Sequence, residues 1–144
     1  MKVKIINRSI NPLPSYETIG SAGMDLRANI DAAVELKPLE RNLIPTGLFI
    51  ELPNGYEAQI RPRSGLAVKK GLTLLNTPGT IDSDYRGEIC VALLNTGDDS
   101  FELPQGSRLC QLIIEQIITP TPAWSDELED TTRGTGGFGS TGHS

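Results

Sequence analysis

Apolar residues recur along this chain in short runs, and each run is cut off by a proline, a glycine or a polar turn. Alternation of apolar and polar residues over a short run marks a half-buried strand. Residues 3–7 predict a first short strand, followed by a loop through Pro12 and Pro14. In residues 21–28, Leu26 and Ala28 alternate with Asp25 and Arg27, which suits a strand with Asp25 near its entrance. Residues 33–36 and 42–51 read as further strands, broken by Pro38 and Pro45, as prolines sit at edges or bulges. Pro53-Asn54-Gly55 signals a hairpin turn returning as a strand over residues 56–61. Residues 72–75 are apolar, and Asn76-Thr77-Pro78-Gly79 turns the chain back, which predicts a second hairpin.

Two later runs differ. Residues 88–94 place Ile89, Val91 and Leu93 on one face and Cys90, Ala92 and Leu94 on the other. Both faces are apolar, so both need cover, one from the core and one from a second layer or another subunit. Residues 108–118 show the same character with the polar amide of Gln111 lodged inside; it bonds backbone or faces a ligand. The one convincing helix lies between Arg61 and Gly71, with Ser64 placed to cap its start and Gly71 to stop it. Many short strands and one short helix predict an all-β sandwich or jelly roll.

Composition narrows this picture. Fifteen Gly and ten Pro in 144 residues agree with a turn-rich β protein, and 38% hydrophobic with 22% charged residues predicts a packed core. Residues 1–130 are expected to form one domain. Residues 131–144 are rich in Gly, Ser and Thr and cannot build a core, so they predict an arm that is mobile when free. A net charge of -5 disfavours stable nucleic acid binding. No apolar run is long enough to span a membrane and the start lacks signal-peptide features, so no membrane partner and a cytoplasmic location are the default expectations. Cys90 and Cys110 lie in apolar runs and read as buried free thiols. The only histidine, His143, is next to the last residue, which leaves no internal Ser-His-Asp triad and no common zinc site.

The candidate chemistry centres on residues 79–89. Asp82 and Asp84 are two apart, so in an extended segment both carboxylates project to one side. Such a pair suits base catalysis or metal binding; the same residues also suit a solvated turn. The helix start offers unpaired N–H groups beside Arg63 and the Ser64 hydroxyl, which is an anion site or an ordinary capped turn. The arm carries one arginine, Arg133, and one aromatic, Phe138, among glycines that can wrap phosphates. Anion site, carboxylate turn and arm together fit a phosphorylated compound with an aromatic ring, most simply a nucleotide. No Walker-type loop is present, which argues against an ATPase of that class.

Five segments in order resemble the five motifs of the homotrimeric dUTPases: Ala22-Gly23-Met24-Asp25-Leu26, Pro62-Arg63-Ser64-Gly65-Leu66-Ala67, the stretch from Asn76 to Gly87, Arg108-Leu109-Cys110-Gln111-Leu112-Ile113, and Arg133-Gly134-Thr135-Gly136-Gly137-Phe138-Gly139-Ser140. The departures are Met24 where Tyr is frequent, Arg61 where a small residue is frequent and Cys110 where Ala is frequent. The resemblance implies a distorted β jelly roll that forms a homotrimer with shared sites, and hydrolysis of dUTP to dUMP and pyrophosphate with Mg²⁺. That reaction removes dUTP and supplies dUMP for thymidylate synthesis.

The resemblance also implies residue roles. Uracil would be held by the Asn76 side chain and backbone groups of Gly79 and Ile81, deoxyribose by Tyr85. Asp82 would activate the water that attacks the α-phosphorus, while Asp84 supports the local structure through an ion pair. Arg63, Ser64, Gly65 and Gln111 would hold phosphates, and Asp25 with Gln111 would hold Mg²⁺ through its waters. From the arm, Phe138 and Gly139 would cover uracil, and Arg133, Ser140 and Thr141 would grip the γ-phosphate. The rivals are a dCTP deaminase-like enzyme on a related fold and a non-catalytic nucleotide-binding protein on the same scaffold. Asp82, Gln111 and Arg133 occurring together argue against the non-catalytic one, since a binder needs no water-activating carboxylate.

Overall fold

The structure, a computed structural model, describes residues 1–137. In chain order the elements are β1 (Lys4–Asn7), β2 (Met24–Arg27), β3 (Val34–Leu36), β4 (Arg41–Pro45), β5 (Leu48–Glu51), β6 (Tyr56–Pro62), α1 (Ser64–Lys70), β7 (Leu72–Leu74), β8 (Gly79–Ile81), β9 (Cys90–Asn95), β10 (Phe101–Leu103) and β11 (Arg108–Gln116). None of these strands pairs with its neighbour in sequence. β1 pairs with β5 and β3 with β10; one sheet runs β4-β9-β7 and another β2-β11-β6-β8. Every ladder is antiparallel. This interleaving is the jelly-roll solution to covering sheet faces and edges.

The alternation read from the sequence is realised in three dimensions. In β9, Val91, Leu93 and Asn95 are buried, while Cys90, Ala92 and Leu94 on the other face are half-buried. The central strand β11 lies between β2 and β6 and buries Leu109, Cys110, Leu112 and Ile113. Leu26, Leu36, Ile44, Leu93 and Leu103 complete the core, each contributing about 1.5–3 kcal/mol of burial.

Both predicted hairpins are corrected. Residues 53–55 lead from β5, bonded to β1, into β6, bonded to β11 and β8. A tight two-residue hairpin of the type favoured by Asn-Gly needs positive φ at both central residues. Here Gly55 has φ +82° but Asn54 does not, so the turn splays the strands into different sheets. Likewise β7 pairs with β9, and β8 pairs with β6. The first residue of α1 is also shifted: Ser64 is already helical, and the capping position belongs to Arg63, extended at φ -87° and ψ 125° with no side-chain cap. The Arg63 carbonyl instead accepts from Leu66 N and Ala67 N.

Gly71 stops α1 as expected, in the left-handed region at φ +66°. A Cβ on it would sit 2.6 Å from Gly97 Cα. Asn95, fully buried, fastens the facing loop: its Nδ2 donates to Leu36 O and Asp99 O, and its Oδ1 accepts from Gly97 N. The loop against which α1 ends is therefore held by this buried amide and by Thr96, whose N–H and hydroxyl donate to Gly71 O.

Candidate active site

Strand β8 positions the central segment. It is the outer strand of its sheet, with Gly79 opposite Ile60 and Ile81 opposite Ala58. Ile81 is buried, which anchors the end of β8, and the chain then leaves the sheet. Asp82 to Tyr85 form a turn closed by Tyr85 N–H donating to Asp82 O at 3.1 Å. The extended reading of Asp82-Ser83-Asp84 is thus corrected to a turn, so the two carboxylates do not form a strand-face pair. Asp84 makes no ion pair among the described residues; the nearby Arg86 guanidinium donates instead to Ser83 O and Tyr85 O.

A cavity of about 350 Å³ opens beside this turn. Asn76, Gly79, Ile81, Asp82 and Tyr85 line it, with Ile60 and Leu74 at its apolar wall. An apolar cavity of this size with a few polar groups suits one aromatic base and its sugar. The Asn76 amide nitrogen lies 3.3 Å from where a Cβ of Gly79 would be, so a side chain at 79 would press on that amide.

A second cluster is built on β2, β6 and β11. Asp25 and Gln111 are direct partners in the β2–β11 ladder, and Gln111 is also opposite Arg61. Gly23 is packed so tightly that a Cβ would meet Gln111 Cβ at 3.1 Å, which explains a glycine before β2. The Asp25 side chain is only 10% exposed; Oδ2 accepts from Arg108 at 3.1 Å, and Arg63 Nε lies 3.3 Å from Oδ1. The Arg63 approach is too poorly aligned for a hydrogen bond, which leaves Oδ1 buried without a donor. Arg108 also reaches Glu17, at 3.7 Å. Arg108 was given no role from the sequence; its signal was its place at the head of the fourth motif.

Partners in a ladder share a face, and successive residues alternate. Gln111, Arg61 and Asp25 therefore lie on one face of the four-stranded sheet, while Ile60 and Gly79 lie on the other, where the cavity opens. None of Asp25, Arg63, Ser64, Gly65 and Gln111 lines the cavity. The structure thus gathers the expected base and sugar residues in one place and the Arg63/Asp25/Gln111 group in another. Arg133 is exposed and donates to Gly136 O at 2.8 Å within its own turn, so this chain brings it to neither place. Phe138, Gly139, Ser140 and Thr141 lie outside the described residues.

Among the described residues no three His, Cys, Asp or Glu side chains cluster as a metal site. The unpartnered Asp25 Oδ1, on the residue opposite Gln111, suits a water of a hard cation rather than direct ligation. Cys110 is buried and its thiol is pushed well up by burial, with the Asp25 charge adding to the shift. Cys90 is half-buried and is also raised, mainly by desolvation. Neither is in a disulfide, as expected.

Fold and site together place the chain among jelly-roll enzymes that act on nucleotides, and comparison with known proteins narrows this to one family. The dUTPase family model matches residues 10–142. A deoxyuridine 5'-triphosphate nucleotidohydrolase of Finegoldia magna is 55% identical over 143 residues, covering 99% of this chain and 100% of the relative. One of Brucella melitensis is 58% identical over 132 residues, covering 90% of this chain and 84% of the relative. The solved Staphylococcus bacteriophage 80alpha dUTPase with dUpNHpp is similar at a TM-score of 0.89 and 26% identity, covering 99% of each chain. The chain belongs to the dUTPase family and is an enzyme of the dUTP diphosphatase type.

Proposed function

We infer that this protein hydrolyses dUTP to dUMP and pyrophosphate, with Asp82 as the base that orients and activates the attacking water at the α-phosphorus. The observation that carries the assignment is the turn from Asp82 to Tyr85, which sets a carboxylate at the rim of a base-sized cavity lined by Asn76, Gly79 and Ile81. Asn76 and the backbone of residues 79–81 offer uracil a donor and acceptor pattern that cytosine cannot match, because mismatched buried groups stay unpaired. Tyr85 walls the sugar and leaves no room for a 2′-hydroxyl. A positioned base supplies about 10²–10⁴-fold of rate.

Arg63, Ser64, Gly65 and Gln111 bind the phosphates, and Asp25 with Gln111 orients the waters of Mg²⁺. When bound, Mg²⁺ neutralises charge on the phosphate oxygens, which this ion prefers as ligands together with water. The opposite-face placement of the cavity and the Gln111 group supports a site assembled from more than one copy of the chain. A homotrimer satisfies this and also covers the half-buried outer face of β9. The arm then closes the site, with Phe138 and Gly139 over uracil and Arg133, Ser140 and Thr141 on the γ-phosphate, stabilising charge as an arginine finger does. Turnover of dUTP with Mg²⁺, read as pyrophosphate release with no ammonia, tests the assignment. Ammonia release from dCTP, or tight dUTP binding without turnover, overturns it.

A further inference from the structure

Glu88 has no part in the roles above, yet it lines the cavity and ties it to the turn at residues 46–48. Its Oε1 accepts the Gly47 N–H at 2.7 Å, and its main-chain carbonyl accepts the Tyr85 hydroxyl at 3.0 Å. The next residue, Ile89, donates to Leu48 O at 2.8 Å and accepts the buried Thr46 hydroxyl at 2.6 Å. The turn that receives these bonds is itself confined. Gly47 has φ +72°, a Cβ there would meet Ser9 at 2.8 Å, and its carbonyl accepts from Arg8 N. Tyr85, by contrast, is 45% exposed, and its hydroxyl bond to Glu88 is its side chain's one hydrogen bond among the described residues. Gly87 completes the seat, because a Cβ at that position would collide with the Tyr85 hydroxyl and ring.

We propose that Glu88 and Gly87 are specificity-determining positioning residues, which fix the Tyr85 ring over the cavity and so set discrimination against a ribonucleotide. The physical argument is steric. A wall rejects one extra oxygen only if it cannot move by the width of that oxygen, and a side chain held by one hydrogen bond moves with its acceptor. The Glu88 carboxylate, together with the Ile89 N–H of the same peptide unit, fixes that acceptor to the 46–48 turn, and Gly87 leaves the ring its space. The proposal rests on the reading of Tyr85 as the sugar wall.

The test compares kcat/KM for dUTP and for UTP in the full-length wild type, Glu88→Ala, Glu88→Gln, Gly87→Ala and Tyr85→Ala, with Tm measured for each. Glu88→Ala and Gly87→Ala are expected to lower the dUTP-to-UTP ratio about tenfold, as loss of one hydrogen bond's worth of positioning should. The change should fall mainly on UTP, with kcat for dUTP nearly unchanged. Glu88→Gln keeps an oxygen that accepts the Gly47 N–H and is expected to restore the ratio. Should Glu88→Ala not fold, Gly87→Ala decides alone, since its φ lies outside the left-handed region. If Tyr85→Ala keeps the wild-type ratio, the sugar-wall reading fails and the proposal with it. If Tyr85→Ala loses the ratio while Glu88→Ala and Gly87→Ala retain it, the positioning role alone is overturned.

Discussion

Asp25 and Gln111 stand directly opposite each other across β2 and β11, with the Asp25 carboxylate nearly buried between Arg63 and Arg108. One carboxylate thus holds two guanidiniums and keeps one oxygen unpartnered. Asp25→Asn removes the charge that balances both arginines. Because Arg108 is partly exposed, solvent screens much of the loss, and a stability cost of about 1–2 kcal/mol is expected. The larger effect should be on metal dependence, with more Mg²⁺ needed for half-maximal rate. A Mg²⁺ titration of the variant checks this, and an unchanged half-saturation point would remove Asp25 from the metal's surroundings.

Asp82→Asn keeps the turn, whose closing bond uses the Asp82 main-chain carbonyl, but removes the base. Binding of a non-hydrolysable dUTP analogue should survive, while turnover falls by about 10²-fold or more. Calorimetric binding and single-turnover rates check the two halves separately. Normal turnover in the variant would assign the base to another residue. Asp84→Asn, whose carboxylate makes no ion pair among the described residues, should behave nearly as wild type.

Much of this site was legible in the sequence because its residues are contiguous. Asn76, Gly79, Ile81, Asp82 and Tyr85 fall within one stretch, and the structure gathers them around one cavity. Strand positions were equally legible, since alternation is a local property and the buried Val91 and Leu93 follow from it. Strand partners were not. Each expected hairpin joined neighbours in sequence, whereas β5 and β6, and β7 and β8, belong to different sheets. Pairing is decided by which apolar faces meet, and no local pattern carries that. The bond from Gly47 to Glu88 is hidden for the same reason, since it links a turn to a segment 41 residues away.

Gly71→Ala tests the junction between α1 and the loop at Gly97. The substitution forces a side chain into the left-handed region and drives its Cβ into backbone at Gly97, which no rotamer change relieves. A loss of about 2–4 kcal/mol is expected from strain and clash together. Asn95→Ala should cost a comparable amount, because Leu36 O, Asp99 O and Gly97 N each lose a partner. The two sites act on one loop, so the double variant should cost less than the sum. Chemical denaturation of the three variants measures this, and strict additivity would show that the loop is not shared.

Deleting residues 133–144 should slow turnover and leave the proposed trimer intact. Among the described residues, Arg133 bonds only within its own turn and no core residue lies beyond β11. The rate should fall by about 10³-fold or more if Arg133 acts as an arginine finger. Sedimentation of the truncated protein beside its dUTP turnover separates the outcomes. Dissociation of the assembly would make the arm structural.

Cys110 is expected to make stability fall on the alkaline side. Burial and the Asp25 charge raise its thiol above the ordinary value of about 8.5. In the unfolded chain the thiol ionises near that ordinary value, whereas in the folded state it stays protonated. The contribution is fully present below about pH 8.5 and is lost as pH rises beyond it, by up to about 1.4 kcal/mol per pH unit for one proton. Cys110→Ala lacks the group, so its stability should decline less steeply from pH 8.5 to 10 than that of the wild type. The native thiol should also resist iodoacetamide at pH 8 and react once the chain is unfolded. Denaturation midpoints over that pH range, with labelling at each, check both parts; equal slopes in the two proteins would show that Cys110 ionises alike in both states.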